Sequence, residues 1–351
     1  MLPTQQPYLI GETAFHHEGD LDFLKELIQH ASDLKLSAIK GHLLLDLDDY
    51  MISNHKVIDI LRPWCLDSSQ WAEAVKMANN LSLDVVLLCN DATSLEWVLN
   101  CGLDIKAIEI HATGLNDYFL LEKASRFKGT VILGVGGSTL EEIKYAIDFL
   151  RARGQEDLFL MHGFQNYPTD FRDIQLSKMQ QINQLFNLPV GYADHTDPND
   201  SDNETISILG AAMGFNVLEK HFTHKFGVKR TDAQAAISLE QMKKVQTLLR
   251  KTVAAYGDNS LTMSDAEKKY GNTGPMKKAI VARRDIAAGE VLTLEHIAFK
   301  RTNEGTYVKQ KQMGQLLGST TNQDILKDTI IDFSNIEYTF KVDDFSQFEN
   351  K

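Results

Sequence analysis

His195 and His221 are the residues whose placement most directly suggests chemistry. They lie in GYADHT (191–196) and LEKHFT (218–223), each at the end of an apolar run that reads as a β-strand, with one helix-length stretch between the runs. In a barrel of parallel strands, consecutive strands are neighbours, so both rings would project at one rim. Two convergent imidazoles suit a divalent metal ion; a hydrogen-bonded pair without metal is the plainer alternative. Two charged residues sit inside other strand-like runs: Glu12 in YLIGETAF (8–15) and Lys40 in SAIKGHLL (37–44). Burying such groups is costly unless they are paired or put to use. Lys40 therefore needs an anion, either a substrate or a carboxylate such as Glu12 or Glu219.

The elements that must hold these residues alternate regularly. Six further strand-like runs join the first two: 84–90, 107–112, 130–137, 158–164, 189–196 and 216–223. Each is rich in β-branched or large apolar residues. Amphipathic helical runs follow them, among them 20–34, 139–154 and 238–257. The last two open on Thr or Ser with a Glu near the third helical position and end at Gly. Eight such units in roughly 250 residues is the size of a (β/α)8 TIM barrel. No GxGxxG follows the first strand, against an open doubly wound sheet. The expected barrel spans 1–257, and the polar, Gly- and Pro-containing segment 258–276 reads as a linker. A small β-rich domain is expected over 277–341.

Composition narrows the partners. The chain has 351 residues and a net charge of -12, with no basic block. Nucleic acid and anionic membrane are therefore not expected as partners. Cys65, Cys89 and Cys101 form no CxxC pair, and no apolar run reaches the roughly 18 residues of a spanning helix. The opening MLPTQQPYLIGE lacks the pattern of a secretory signal, so a cytoplasmic location is expected.

Taken in order, these motifs resemble the sialic acid (N-acetylneuraminate) synthase family. The resemblance runs from IGETAFHHEGD (10–20) and SAIKGH (37–42) through MHGFQNYPTD (161–170) to the two histidine segments. VARRDIAAGEVLT (281–293) and FKR (299–301) are similar to the antifreeze-like (SAF) domain that follows the barrel in that family. The resemblance implies condensation of phosphoenolpyruvate with an N-acylated amino sugar of the mannosamine type. Water enters, phosphate leaves, and a nine-carbon 2-keto acid for surface polysaccharide results. It also implies Mn²⁺ or Mg²⁺ on His195 and His221, with Glu12 as base for the water or orienter of metal-bound groups. Two imidazoles leave positions open for water and substrate oxygen, which suits an octahedral ion. Lys40 would hold the phosphoenolpyruvate end, and Tyr167, Gln165 and Asn166 would contact substrate from the loop after the sixth strand. Asp194 would orient a histidine or contact substrate, and Asp232 would meet a sugar hydroxyl. Arg301 would reach the neighbouring subunit's site in a domain-swapped homodimer and bind the sugar's acyl group there. Other readings are a metal-assisted barrel aldolase or lyase acting on a sugar, and a non-catalytic sugar-binding relative.

The pattern breaks at the phosphate end. Glu109 and Ala112 stand where the family has Lys and Ser. Gly134, Val135 and Gly136 replace Ser-Thr-Gly, Ala193 replaces Ser, Cys89 replaces Thr, and Thr302 follows Arg301 in place of Pro. If phosphate still binds, it would use Lys40, the amides of Gly136 and Gly137 in GVGGS (134–138), the following helix N-terminus and His111.

Overall fold

A computed structural model describes residues 2–164, 166–258 and 260–337. Gln165 lies outside the described residues. The chain divides into two compact units, 1–259 and 260–351.

The first unit is a closed barrel of eight parallel strands. They are β1 (Tyr8–Glu12), β2 (Ala38–Leu43), β3 (Asp84–Cys89), β4 (Ala107–Ile110), β5 (Thr130–Gly134), β6 (Leu158–His162), β7 (Val190–Asp194) and β8 (Val217–Thr223). They pair in sequence order, and β1 also pairs with β8, which closes the ring. A two-residue strand, β9 (Ile237–Ser238), adds beside β8. All eight runs expected from the sequence are strands. Their rim-side ends stop two or three residues early where the chain turns into loop at Thr13, His111, Val135 and Gly163.

Each helix buries its apolar stripe on the barrel. In helix Leu21–Asp33, Phe23, Leu24, Leu27, Ile28 and Ala31 are buried, the three- and four-residue spacing of one face. Capping boxes start helices Leu140–Arg151 (Thr139 with Glu142) and Leu239–Tyr256 (Ser238 with Gln241). Between β2 and the next long helix, Ser68–Asn80, the chain makes an excursion with short helices at Leu47–Tyr50 and Ile58–Leu61. Leu44, Leu47, Ile58 and Leu61 give this excursion its own small core.

Close backbone approach at the rim demands glycine. A Cβ on Gly136 would lie 1.9 Å from the Gly163 carbonyl oxygen, and one on Gly163 would lie 2.2 Å from the Ala193 oxygen. Gly163 also has φ +146°. We expect Gly163→Ala to cost about 3 kcal/mol or more, from overpacking and strain together. Urea unfolding checks this; a midpoint equal to wild type would contradict it.

In the second unit, β10 (Ala279–Ala282) and β11 (Ile297–Lys300) form an antiparallel pair. Ile280, Ile286, Leu292, Ile297, Leu316 and Ile331 form its separate core. The segment read as linker carries a capped helix, Asp265–Tyr270, and residues from 260 onward belong to this unit. Its Ser264–Glu267 capping box is the signal that a reading by polarity alone passes over. Among the described residues, no helix is long and apolar enough to cross a membrane.

Candidate active site

Strand parity decides which side chains face the barrel mouth. Side chains alternate along a strand, so Glu219 and His221 point one way and Lys220 the other. Ala193 and Asp194 on β7 divide in the same manner, and so do Lys40, Gly41 and His42 on β2. A cavity of about 340 Å³ opens at the strands' C-terminal ends and is lined by Glu12, Lys40, His42, Glu109, His195 and His221, among others. Glu12 is the register partner of Lys40 on one side and of His221 on the other.

Glu12, His195 and His221 each offer a ligand atom, all within 4.8 Å of one another and all buried. The sequence pairs the two histidines; barrel closure adds the carboxylate. His195 Nδ1 is buried without a hydrogen-bond partner. Burial holds both imidazoles in the neutral, ligating form: it lowers His195 to about 4 and His221 well below the usual value. For Glu12, burial alone would raise the pKa, but Lys40, a hydrogen bond with Glu219 and the facing histidines hold it well below the carboxylate range. An orphaned ring nitrogen, two neutral imidazoles and one ionised carboxylate fit a divalent cation.

Lys40 is the only Lys or Arg among the described residues lining this cavity. Its Nζ lies 2.7 Å from Glu109, 2.9 Å from both oxygens of Glu219 and 3.2 Å from Glu12. It is 2% exposed. Burial would lower its pKa, but the carboxylates of Glu109, Glu12 and Glu219 raise it well above the usual value. Three carboxylates cannot all be ionised comfortably beside one ammonium. Burial and the neighbouring Glu12 push Glu219 well up, and burial raises Glu109 despite Lys40. The ion-pair alternative for Lys40 is therefore present in full, with Glu109 as an added partner. His42 Nε2 lies 2.7 Å from Glu12 and was not singled out from the sequence, although its position two residues after Lys40 puts it on the same face.

The remaining expected residues separate. The Tyr167 ring lies edge-on to His195 and His221, at 5.2 and 6.0 Å between centroids. Burial raises its hydroxyl pKa. Asn166 is exposed, does not line the cavity, and accepts a hydrogen bond from Thr169 at its backbone carbonyl. Asp194 corrects the sequence reading. It is buried, but parity turns it away from the mouth, and its carboxylate accepts from Lys220 Nζ (2.6 Å), the Thr196 amide and Ser207. It is thus a structural partner of Lys220 rather than a substrate contact. Asp232 is half-buried with φ +63° and lines a neighbouring cavity. Gly136 and Gly137 both line the mouth, but Gly136 is required by the approach of Gly163. Gly137 has φ +76° and open space around it. The helix N-terminus after this loop is occupied by the Thr139–Glu142 capping box, which leaves less of it for an anion. Arg301 follows β11 in the second unit, is exposed, and donates from Nε to the Pro275 carbonyl at 2.7 Å.

Comparison with known proteins agrees with this architecture. The NeuB family model matches residues 45–260, and the SAF domain model matches 277–337. An N,N'-diacetyllegionaminic acid synthase of Campylobacter jejuni is 27% identical, over 92% of this chain and 98% of its own length. A pseudaminic acid synthase of Helicobacter pylori is 24% identical, over 95% and 98%. Among solved structures, a putative spore coat polysaccharide biosynthesis protein E from Chromobacterium violaceum superposes with a TM-score of 0.80 at 22% identity. That match covers 95% of this chain and all of the other. Family model, barrel closure and the second compact unit agree: this chain is a member of the NeuB family whose barrel is followed in sequence by a SAF domain.

Proposed function

We infer that the barrel joins a three-carbon enolpyruvate donor to the aldehyde of an amino sugar, as nonulosonic acid synthases do. The observation that carries this reading is the buried Glu12–His195–His221 set at the C-terminal mouth. These three residues would hold a divalent ion, which when bound supplies Lewis acidity toward the sugar carbonyl. Glu219, its pKa pushed well up by burial and by Glu12, would be the group that gives a proton to the oxygen of the former aldehyde. Glu12, its pKa held down, would accept the proton of the water that adds at the former enol carbon as phosphate leaves. Tyr167 closes one side of the site over the two histidine rings.

The test is phosphate release from phosphoenolpyruvate with Mn²⁺ or Mg²⁺, across N-acetylmannosamine, its 6-phosphate and related amino sugars. Release that requires both sugar and metal is the expected result. Absence of release in a folded, Mn²⁺-binding protein that also fails to bind phosphoenolpyruvate overturns it.

One observation favours a second reading. Lys40, the one Lys or Arg lining this cavity among the described residues, is already held by Glu12, Glu109 and Glu219, so a phosphate dianion meets acidic groups on that side. This favours an aldolase or lyase whose donor carries no phosphate, or a sugar-binding relative without turnover. Glu109→Gln separates the readings. If phosphate binds beside Lys40, removing this charge should tighten phosphoenolpyruvate binding by about tenfold or more, measured by calorimetry. An unchanged affinity would place the phosphate elsewhere.

A further inference from the structure

A second cavity, of about 450 Å³, adjoins the first and shares His42, His111 and Tyr167 with it. Its character is different. Phe15, Tyr50, Val57, Ile60, Leu61 and Trp64 form its apolar wall. Most of these belong to the excursion between β2 and helix Ser68–Asn80, and Phe15 follows β1. Leu61 is buried in the excursion's small core, with Phe15, Tyr50 and Trp64 packed against it, so the wall is a built element. Val57 and Ile60 are nevertheless 37% and 53% exposed. Large apolar side chains left open in a concave site mark a place where apolar ligand surface is buried.

The two cavities are joined by packed rings. Trp64 lies 6.4 Å from Phe15, and Phe15 meets His42 edge-on at 5.3 Å between centroids. His42 in turn lies 2.7 Å from Glu12, one of the three grouped ligand residues. A ligand lying along this path would have a polar end at Glu12, His195 and His221 and an apolar end over Trp64 and Ile60. Besides the shared His42, His111 and Tyr167, Asn90, Thr231 and Asp232 supply polar groups to the second cavity. Among the described residues, the only carboxyl-bearing side chain in this lining is Asp232, set apart in sequence from the apolar excursion that forms the wall.

We propose that the second cavity is a specificity subsite for an apolar arm on the acceptor sugar, of the size of an acyl chain several carbons long. The proposal rests on the reading that the acceptor's aldehyde lies at the Glu12–His195–His221 set. It adds that this chain selects its acceptor by hydrophobic burial beyond a single methyl group.

Calorimetric titration of the full chain with Mn²⁺ and N-acetyl-, N-butanoyl- and N-hexanoylmannosamine tests it. Each buried methylene should tighten binding by about fourfold, so the butanoyl sugar, two methylenes longer, should exceed the acetyl one by about fifteenfold. The double variant Val57→Ser, Ile60→Ser changes only partly exposed positions. It should flatten the series while leaving the N-acetyl compound within about twofold of wild type. An affinity that stays level or falls with chain length in the wild type overturns the proposal. If no sugar binds at all, the acceptor reading fails separately, and hexanamide becomes the probe. Binding of hexanamide that weakens in the double variant keeps the apolar subsite; no binding overturns it.

Discussion

Lys40→Met should lower stability at pH 8 by about 3–5 kcal/mol, the cost of leaving a buried ionic cluster without its counter-charge. Glu12, Glu109 and Glu219 all lie within 3.2 Å of the lysine that would be lost. Methionine is close in length, so the main change is electrostatic rather than a cavity. The sign with pH follows from linkage. Without the ammonium, these carboxyls have folded-state pKa values raised above the unfolded ones. The folded state then holds more protons, and its stability falls as pH rises through and above the carboxylate range. The deficit relative to wild type should therefore be small near pH 4–5 and widen toward pH 8. Thermal or urea unfolding of both proteins at the two ends of this range measures it. A constant difference across pH would mean that the three carboxyls do not share the lysine as the structure shows.

His221→Ala should weaken Mn²⁺ binding by about a hundredfold or more and abolish sugar-dependent turnover. Manganese spectroscopy reports the first effect independently of activity. His221 carries one of three donors grouped within 4.8 Å, and its pKa, depressed by burial, leaves it neutral throughout the physiological range. His195, lowered to about 4, behaves in the same way. Proton competition at these imidazoles should thus be negligible between pH 6 and 8, and metal affinity should fall only toward the low pKa values. Glu12→Gln should reproduce the loss of metal. Equal Mn²⁺ affinity in wild type and His221→Ala would remove His221 from the ligand set. It would leave the three residues as a hydrogen-bonded cluster.

These two experiments address residues that were legible to different degrees in the chain. His195 and His221 stood out because each closes an apolar run of strand length, and parity along a strand needs no tertiary information. Parity also marks Glu219 and His42 as companions of His221 and Lys40. It turns Asp194 away from the mouth, which local adjacency to His195 concealed. The strand bodies, most helix ends and the change of texture near residue 277 were set by local patterns of apolar spacing and caps. The helix Asp265–Tyr270 escapes such a reading because a six-residue helix that buries none of its residues has no apolar period to read.

By itself, then, the sequence determined the eight strand–helix units, the small domain after them and the facing pair of histidines, because period and capping are properties of neighbouring residues. Tertiary structure alone decided that Glu12 joins those histidines. That contact exists because β1 closes on β8, and it joins distant parts of the chain. It also decided that Lys40 is shared by three carboxylates instead of standing free for an anion. Which charges neutralise one another in a barrel mouth depends on strand register around the ring, and no local pattern encodes that register.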